Sequence, residues 1–112
     1  MKVLVCGGRA YYNQARVNEV LGALPEGTVI IQGGAKGADE CARRWANEHS
    51  VGCETYHADW KKYGKAAGPI RNRKMLDLGN PDLVIAFPGG NGTQNMVALA
   101  RQNYIEVKEI EP

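Results

Sequence analysis

Four apolar runs punctuate the chain: "KVLVCG" (2–7), "TVIIQG" (28–33), "CETYHA" (53–58) and "DLVIAF" (82–87). Each is too short for a helix of ordinary length and reads as a strand. Apolar runs without strict alternation suit parallel strands covered on both faces. A fifth run, "YIEVKEI" (104–110), alternates more and predicts an edge strand. Between the strands the apolar period lengthens. Val17, Val20, Leu21 and Leu24 recur at helical spacing, as do Ala38, Cys41, Ala42, Trp45, Ala46 and His49, and then Met96, Val97, Ala100 and Tyr104. Breakers at "PEG" (25–27), "VG" (51–52) and "GNP" (79–81) separate the elements. Strand alternating with helix predicts βαβ units. The expected fold is a single Rossmann-like α/β three-layer sandwich over residues 1–112, with a five-stranded, mainly parallel sheet in the order 3-2-1-4-5.

Composition narrows the function classes. A chain of 112 residues suits one domain with one real core. A formal net charge of +2 is too small to argue for nucleic acid by itself. Cys6, Cys41 and Cys53 are odd in number and lack CxxC spacing, which predicts free thiols in a reducing, cytoplasmic setting. His49 and His57 lack partners at metal or catalytic spacing and read as structural, so neither a metal site nor a cofactor is expected. No apolar segment approaches the ~18–20 residues of a membrane span.

Three of the strands run directly into glycine: "CGGRAYY" (6–12), "QGGAKGAD" (32–39) and "FPGGNGT" (87–93). In a parallel sheet these loops share the carboxyl edge, and a reversal between strands one and four places a ligand crevice among them. Glycine allows close backbone approach, and the N–H groups at a following helix start suit an anion. Such glycines also make tight βα turns, but three on one edge favour a phosphate or nucleotide site. The candidate ligand-binding residues are Gly7, Gly8, Arg9, Gly33, Gly34, Ala35, Lys36, Gly37, Pro88, Gly89, Gly90, Asn91, Gly92 and Thr93. Thr93 could cap its helix or meet the anion, and Asp39 could cap its own helix or bind a ribose hydroxyl. Neither GxGxxG nor a Walker A loop is present, which disfavours an ordinary dinucleotide dehydrogenase or NTPase.

Six of the 14 basic residues, and no acid, fall within 61–74 of "DWKKYGKAAGPIRNRKML" (59–76). "AAGPIRN" reads as a helix start whose first turn carries Arg71, Asn72 and Arg73 near the glycine edge. Arg71 suits bidentate phosphate contact, and Trp60 or Tyr63 could stack on a base. A solvated basic face is the competing reading for the lysines. Trp45 reads as core, and Cys6 has no basic partner that would make it a nucleophile.

Taken together, "GGAKGADECARRWA", "DWKKYGKAAGPIRNRKM" and "PGGNGTQNM" resemble the YspA-related branch of the SLOG superfamily, co-linear from Cys6 to about Tyr104. The resemblance implies a Rossmann-like fold and a nucleotide-related ligand, including ADP-ribose-like signals. That superfamily also holds Lonely Guy phosphoribohydrolases and the DNA-processing protein DprA. In the Lonely Guy enzymes "PGGxGTxx" is followed by a glutamate used in N-glycosidic cleavage, whereas this chain has Met96, preceded by Asn95. Asp39, Glu40 and Arg71 remain the catalytic candidates. The expected function is binding of a phosphorylated nucleotide derivative as sensor, carrier or sequestering protein, in a homo-oligomer (dimer or tetramer). A nucleoside-monophosphate N-glycosidase and a single-stranded nucleic-acid binder are the alternatives, and no membrane partner is expected.

Overall fold

The computed structural model describes residues 1–112. Its strands are β1 (Lys2–Cys6), β2 (Val29–Gln32), β3 (Cys53–Thr55), β4 (Leu83–Ala86) and β5 (Glu106–Glu109). The helices are α1 (Gln14–Gly22), α2 (Ala38–Glu48), one-turn α3 (Trp60–Tyr63), α4 (Ala67–Gly79) and α5 (Asn91–Gln102). A 3-10 turn at Gly64–Ala66 joins α3 to α4. All strand pairs are parallel, in the order β3-β2-β1-β4-β5, as the strand–helix alternation predicts.

The pleat divides the core in two. Val3, Val5, Ile30, Leu83, Ile85 and Phe87 face α1 and α2, whose Val17, Leu21, Cys41, Ala42 and Trp45 close that layer. Leu4, Cys6, Ile31, Val84 and Ala86 face the opposite way, against Met75 and Leu76 of α4 and Met96, Val97 and Ala100 of α5. Alternate residues of β1 and β4 therefore belong to different layers, which explains their unbroken apolar sequence. After β3 the chain moves to the other face and returns as β4 on the far side of β1, so the topological switch lies between β1 and β4.

Local signals set the helix ends. Asn13 caps α1 by accepting from the Arg16 N–H at 3.1 Å, and Asp59 does the same for α3 with Lys62 at 3.1 Å. Asn80, left-handed at φ 49°, ends α4 before Pro81. By contrast, α2 and α5 begin at Gly37 and Gly90 without any side-chain cap. Two expectations are corrected. Strand β3 stops at Thr55 rather than continuing to residue 58. Tyr104 leaves the α5 stripe: the helix ends at Gln102, and Tyr104 sits in a turn at φ 58°, 97% exposed.

Phe87, 1% exposed, stacks on Tyr11 with ring centroids 5.3 Å apart, at the point where β4 enters its glycine loop. Phe87→Ala should lower unfolding free energy by about 3–5 kcal/mol. Tyr104→Ala should stay within about 0.5 kcal/mol of wild type. Urea denaturation reads both, and similar costs at the two positions would contradict this division between core and surface.

Candidate functional site

The three glycine loops meet at the carboxyl edge of the sheet. The Gly8 N–H donates to the Pro88 carbonyl at 2.8 Å, and the Gly8 carbonyl accepts from the Tyr11 and Ala38 N–H groups, each at 3.1 Å. Contact is close enough to require glycine. A Cβ at Gly7 would lie 2.6 Å from the Ala38 Cβ, and one at Gly89 would lie 2.7 Å from the Gly8 nitrogen. Gly37, at φ 78°, packs directly on the Gly8 carbonyl. Gly7, Gly8, Gly37 and Gly89 thus serve loop-to-loop packing.

Gly90 and Gly92 are different. A Cβ at either would meet nothing within 4 Å, and neither residue has a positive φ. No protein packing requires glycine at these two positions. They border a cavity of about 440 Å³. The backbone N–H groups of Asn91, Gly92 and Thr93, on the first turn of α5, make no hydrogen bond within the protein. With the helix dipole behind them they present partial positive charge. Thr93 is buried, its hydroxyl above Gly89.

The opposite wall comes from α4. Arg71 donates from Nη1 to the Gly33 carbonyl at 2.6 Å and from Nε to Asn72 Oδ1 at 3.1 Å, leaving Nη2 without a protein partner. It lies on the second turn of α4 rather than the first. Burial lowers its pKa from the ordinary guanidinium value, while the charge of Asp39 raises it. Asn72, 4% exposed, donates to the Gly92 carbonyl at 3.2 Å and to Asn95 Oδ1 at 2.9 Å. It ties α4 to the α5 loop while lining the cavity.

Asp39, on α2, accepts at Oδ2 from the Gly33 and Ala35 N–H groups, each at 3.2 Å. Gln32, fully buried, accepts the Gly34 N–H at 2.6 Å. The N–H groups of residues 33–35 are therefore already occupied. These three donors go to protein side chains rather than to an anion. Gln32 is the residue that sequence reasoning missed here; a polar side chain at the end of an apolar strand was its only signal. Burial raises the Asp39 pKa, with the Ala35 N–H, Arg71 and the Gly33 N–H opposing it. Cys6 also lines the cavity, but burial, with Asp39 nearby, pushes its thiol up to about 12. It stays protonated near neutrality and is a poor nucleophile.

The structure gathers Gly7, Gly8, Arg9, Ala35, Asp39, Trp60, Arg71, Asn72, Gly90, Asn91, Gly92 and Thr93 around this cavity. Gly33, Gly34 and Lys36 line a second cavity of about 380 Å³, which shares Arg9, Ala35, Trp60 and Arg71 with the first. Gly37, Pro88 and Gly89 line neither and hold the loops together. Glu40 also lines neither: it accepts from the Tyr12 hydroxyl at 3.2 Å and pairs with Arg44 at 3.8 Å, beside α1. His57, read as structural, lines the second cavity, whereas His49 stacks on Trp45 with ring centroids 4.9 Å apart. Trp60 is 48% exposed, with the Arg9 guanidinium 5.1 Å from its ring centroid. Lys65, Gly68, Pro69, Met75 and Asn95 complete the first cavity's lining.

The fold and its edge define a doubly wound α/β domain with a glycine-lined crevice at the switch point. Residues 1–63 match the model of the YspA, cpYpsA-related SLOG family, and the chain belongs to that family. Gene 61 protein of Mycobacterium phage D29 is 36% identical over 117 residues, covering 95% of this chain and 93% of that protein. Among solved structures, DNA processing protein A (DprA) from Streptococcus pneumoniae superimposes with a TM-score of 0.82 at 22% identity. The superposition covers 99% of this chain but 50% of DprA, so the chain spans half the length of that protein. The protein TM1055 gives a TM-score of 0.72 at 19% identity, over 95% of this chain and 71% of its own. At these identities the two solved structures share the fold with this chain.

Two outcomes test the site's construction. Gly89→Ala should destabilise the fold by about 1–3 kcal/mol through overpacking, and Gly90→Ala by no more than about 0.5 kcal/mol. Equal costs in urea would overturn the division of the glycines.

Asp39 supplies a pH test. Its folded-state pKa is raised above the unfolded value. The stability it contributes is therefore present below the unfolded pKa and lost as pH rises through the folded one. Asp39→Asn keeps an oxygen for both loop N–H groups without a charge to bury. The variant should gain on wild type as pH rises from about 4, the ordinary aspartate value. Parallel stability–pH curves would refute this.

Proposed function

We propose that this chain binds a phosphorylated, nucleotide-derived small molecule and acts as a sensor, carrier or sequestering protein. The carrying observation is the first turn of α5. Three N–H groups without partners and two glycines that no packing requires face the cavity that Arg71 also lines. A phosphate suits that space: it accepts from the three N–H groups and from the free Arg71 Nη2. The half-exposed Trp60 offers a stacking face for a base at the rim.

Holding is favoured over cleavage by the carboxylates. Asp39 is the one acid lining the cavity, and its Oδ2 is committed to the second loop. Met96 is fully buried in the core beneath α5. N-glycosidic cleavage needs a placed acid/base and charge stabilisation of the departing sugar. One observation favours a second reading, single-stranded nucleic acid: Trp60, Lys61, Lys62, Tyr63 and Lys65 form an exposed basic and aromatic rim, on a fold shared with a DNA-processing protein.

Mass spectrometry of small molecules released by denaturing the purified protein should detect a phosphorylated nucleotide derivative. Gly90→Val should abolish its binding in calorimetry with an unchanged circular dichroism spectrum, because a Cβ there meets no protein atom within 4 Å at a position that lines the cavity. Arg71→Ala should weaken binding by roughly 10- to 150-fold, the equivalent of about 1.5–3 kcal/mol for a charge-assisted contact. Absence of a released nucleotide, together with salt-sensitive oligonucleotide binding, would replace this reading with the second one.

A further inference from the structure

The second cavity shares Arg71 with the phosphate contact just described, and it too is built from cations. Arg9, Lys36 and Arg71 line it together with His57 and Trp60, and no carboxylate does. The Gly33, Gly34 and Ala35 N–H groups are not free for an anion there, since they are bound to Asp39 and Gln32. The cavity's positive charge comes from the Arg9, Lys36 and Arg71 side chains. Arg71 belongs to both cavities, with its Nη1 fixed on the Gly33 carbonyl at 2.6 Å. Arg9 and Trp60, paired at 5.1 Å, are also shared by both. The two cavities thus adjoin, and Arg9 and Arg71 offer positive charge to both.

We infer that the second cavity receives a second anionic group of the same ligand, so that the ligand is a nucleotide bearing two phosphates separated by its sugar. The residues the cavities do not share lie apart in the fold, Asn91, Gly92 and Thr93 at the start of α5 for the first and Lys36 and His57 for the second. A sugar carrying a phosphate at each end places one phosphate at α5 and the other at Lys36 and His57. Gly34, at φ 70°, is needed for this arrangement: a Cβ there would lie 2.5 Å from His57 Nδ1 and displace the imidazole. The inference rests on the nucleotide reading above and extends it from one phosphate to two.

Calorimetry with 5′-monophosphates and 3′,5′-bisphosphates of adenosine and guanosine tests it on the full chain. The bisphosphate of the preferred base should bind at least roughly tenfold tighter than its monophosphate, the gain expected from a charge-assisted contact. Lys36→Ala, at an exposed loop position, should bring that ratio close to one, and Lys36→Glu should bring it below one. Gly90→Val should weaken both ligands. A wild-type ratio near one, or a ratio unmoved by both Lys36 variants, would overturn the second subsite and leave the single-phosphate reading intact. Failure of every nucleotide to bind would overturn both.

Discussion

The peptide unit of Gly8 is the constraint on which the edge of this molecule depends. Its N–H holds the β4 loop through Pro88, and its carbonyl holds the start of α2 through Ala38. Gly7, Gly37 and Gly89 lack Cβ atoms where these segments cross. The result is an asymmetry between two helices that look alike in sequence. Helix α2 directs one of its free N–H groups at a protein carbonyl, so part of its dipole is already compensated. Helix α5 has no such partner for its first three N–H groups. Packing on one side of the crevice therefore decides that unspent positive potential lies on the other.

A second set of contacts holds the cation in position. Asp39 fixes the β2 loop through two N–H groups, and that loop presents the Gly33 carbonyl to Arg71. The guanidinium is held by a neutral carbonyl and by Asn72 rather than neutralised by a bonded carboxylate. Its charge remains available at reduced solvation, and its rotamer is set before any ligand arrives. Such preorganisation lowers the ordering cost of binding. The burial that raises the Asp39 pKa is thus linked to the burial that lowers that of Arg71, since each carries the other's charge as an opposing influence.

Much of the fold was legible because the four main apolar runs and the helical stripes obey different periods. The strand order was expected from the alternation of strands and helices, and the sheet has it. What stayed illegible was what each glycine is for. Gly89 and Gly90 are adjacent and identical in sequence, yet one is pressed against two backbones and the other faces open space. Asp39 and Glu40 posed the same problem: about 100° of helical rotation separates neighbours, so one carboxylate enters the site and the other joins Tyr12 and Arg44 on the α1 side. Tyr104 fitted the α5 period but fell beyond the helix end, where Asn103 caps by donating to several preceding carbonyls. His57 had no sequence partner because its neighbour is the bare backbone of Gly34.

The position of Met96 separates holding from chemistry. On α5 the buried stripe runs through Thr93, Met96, Val97 and Ala100, so residue 96 points toward Leu4, Cys6 and Val84 rather than along the N–H groups that begin the helix. The anion contact proposed above uses the first turn, whereas a side chain at 96 lies one turn deeper. A carboxylate introduced there would have to be desolvated among apolar side chains, and its pKa would rise for the same reason that burial raises that of Asp39. With methionine in place, the same volume contributes dispersion contacts to the core layer under α4 and α5. The proposed phosphate contact at the start of α5 and the core packing of Met96 thus make no competing demand on residue 96. That is the physical basis on which the proposed reading treats the glycine loop as a binding device.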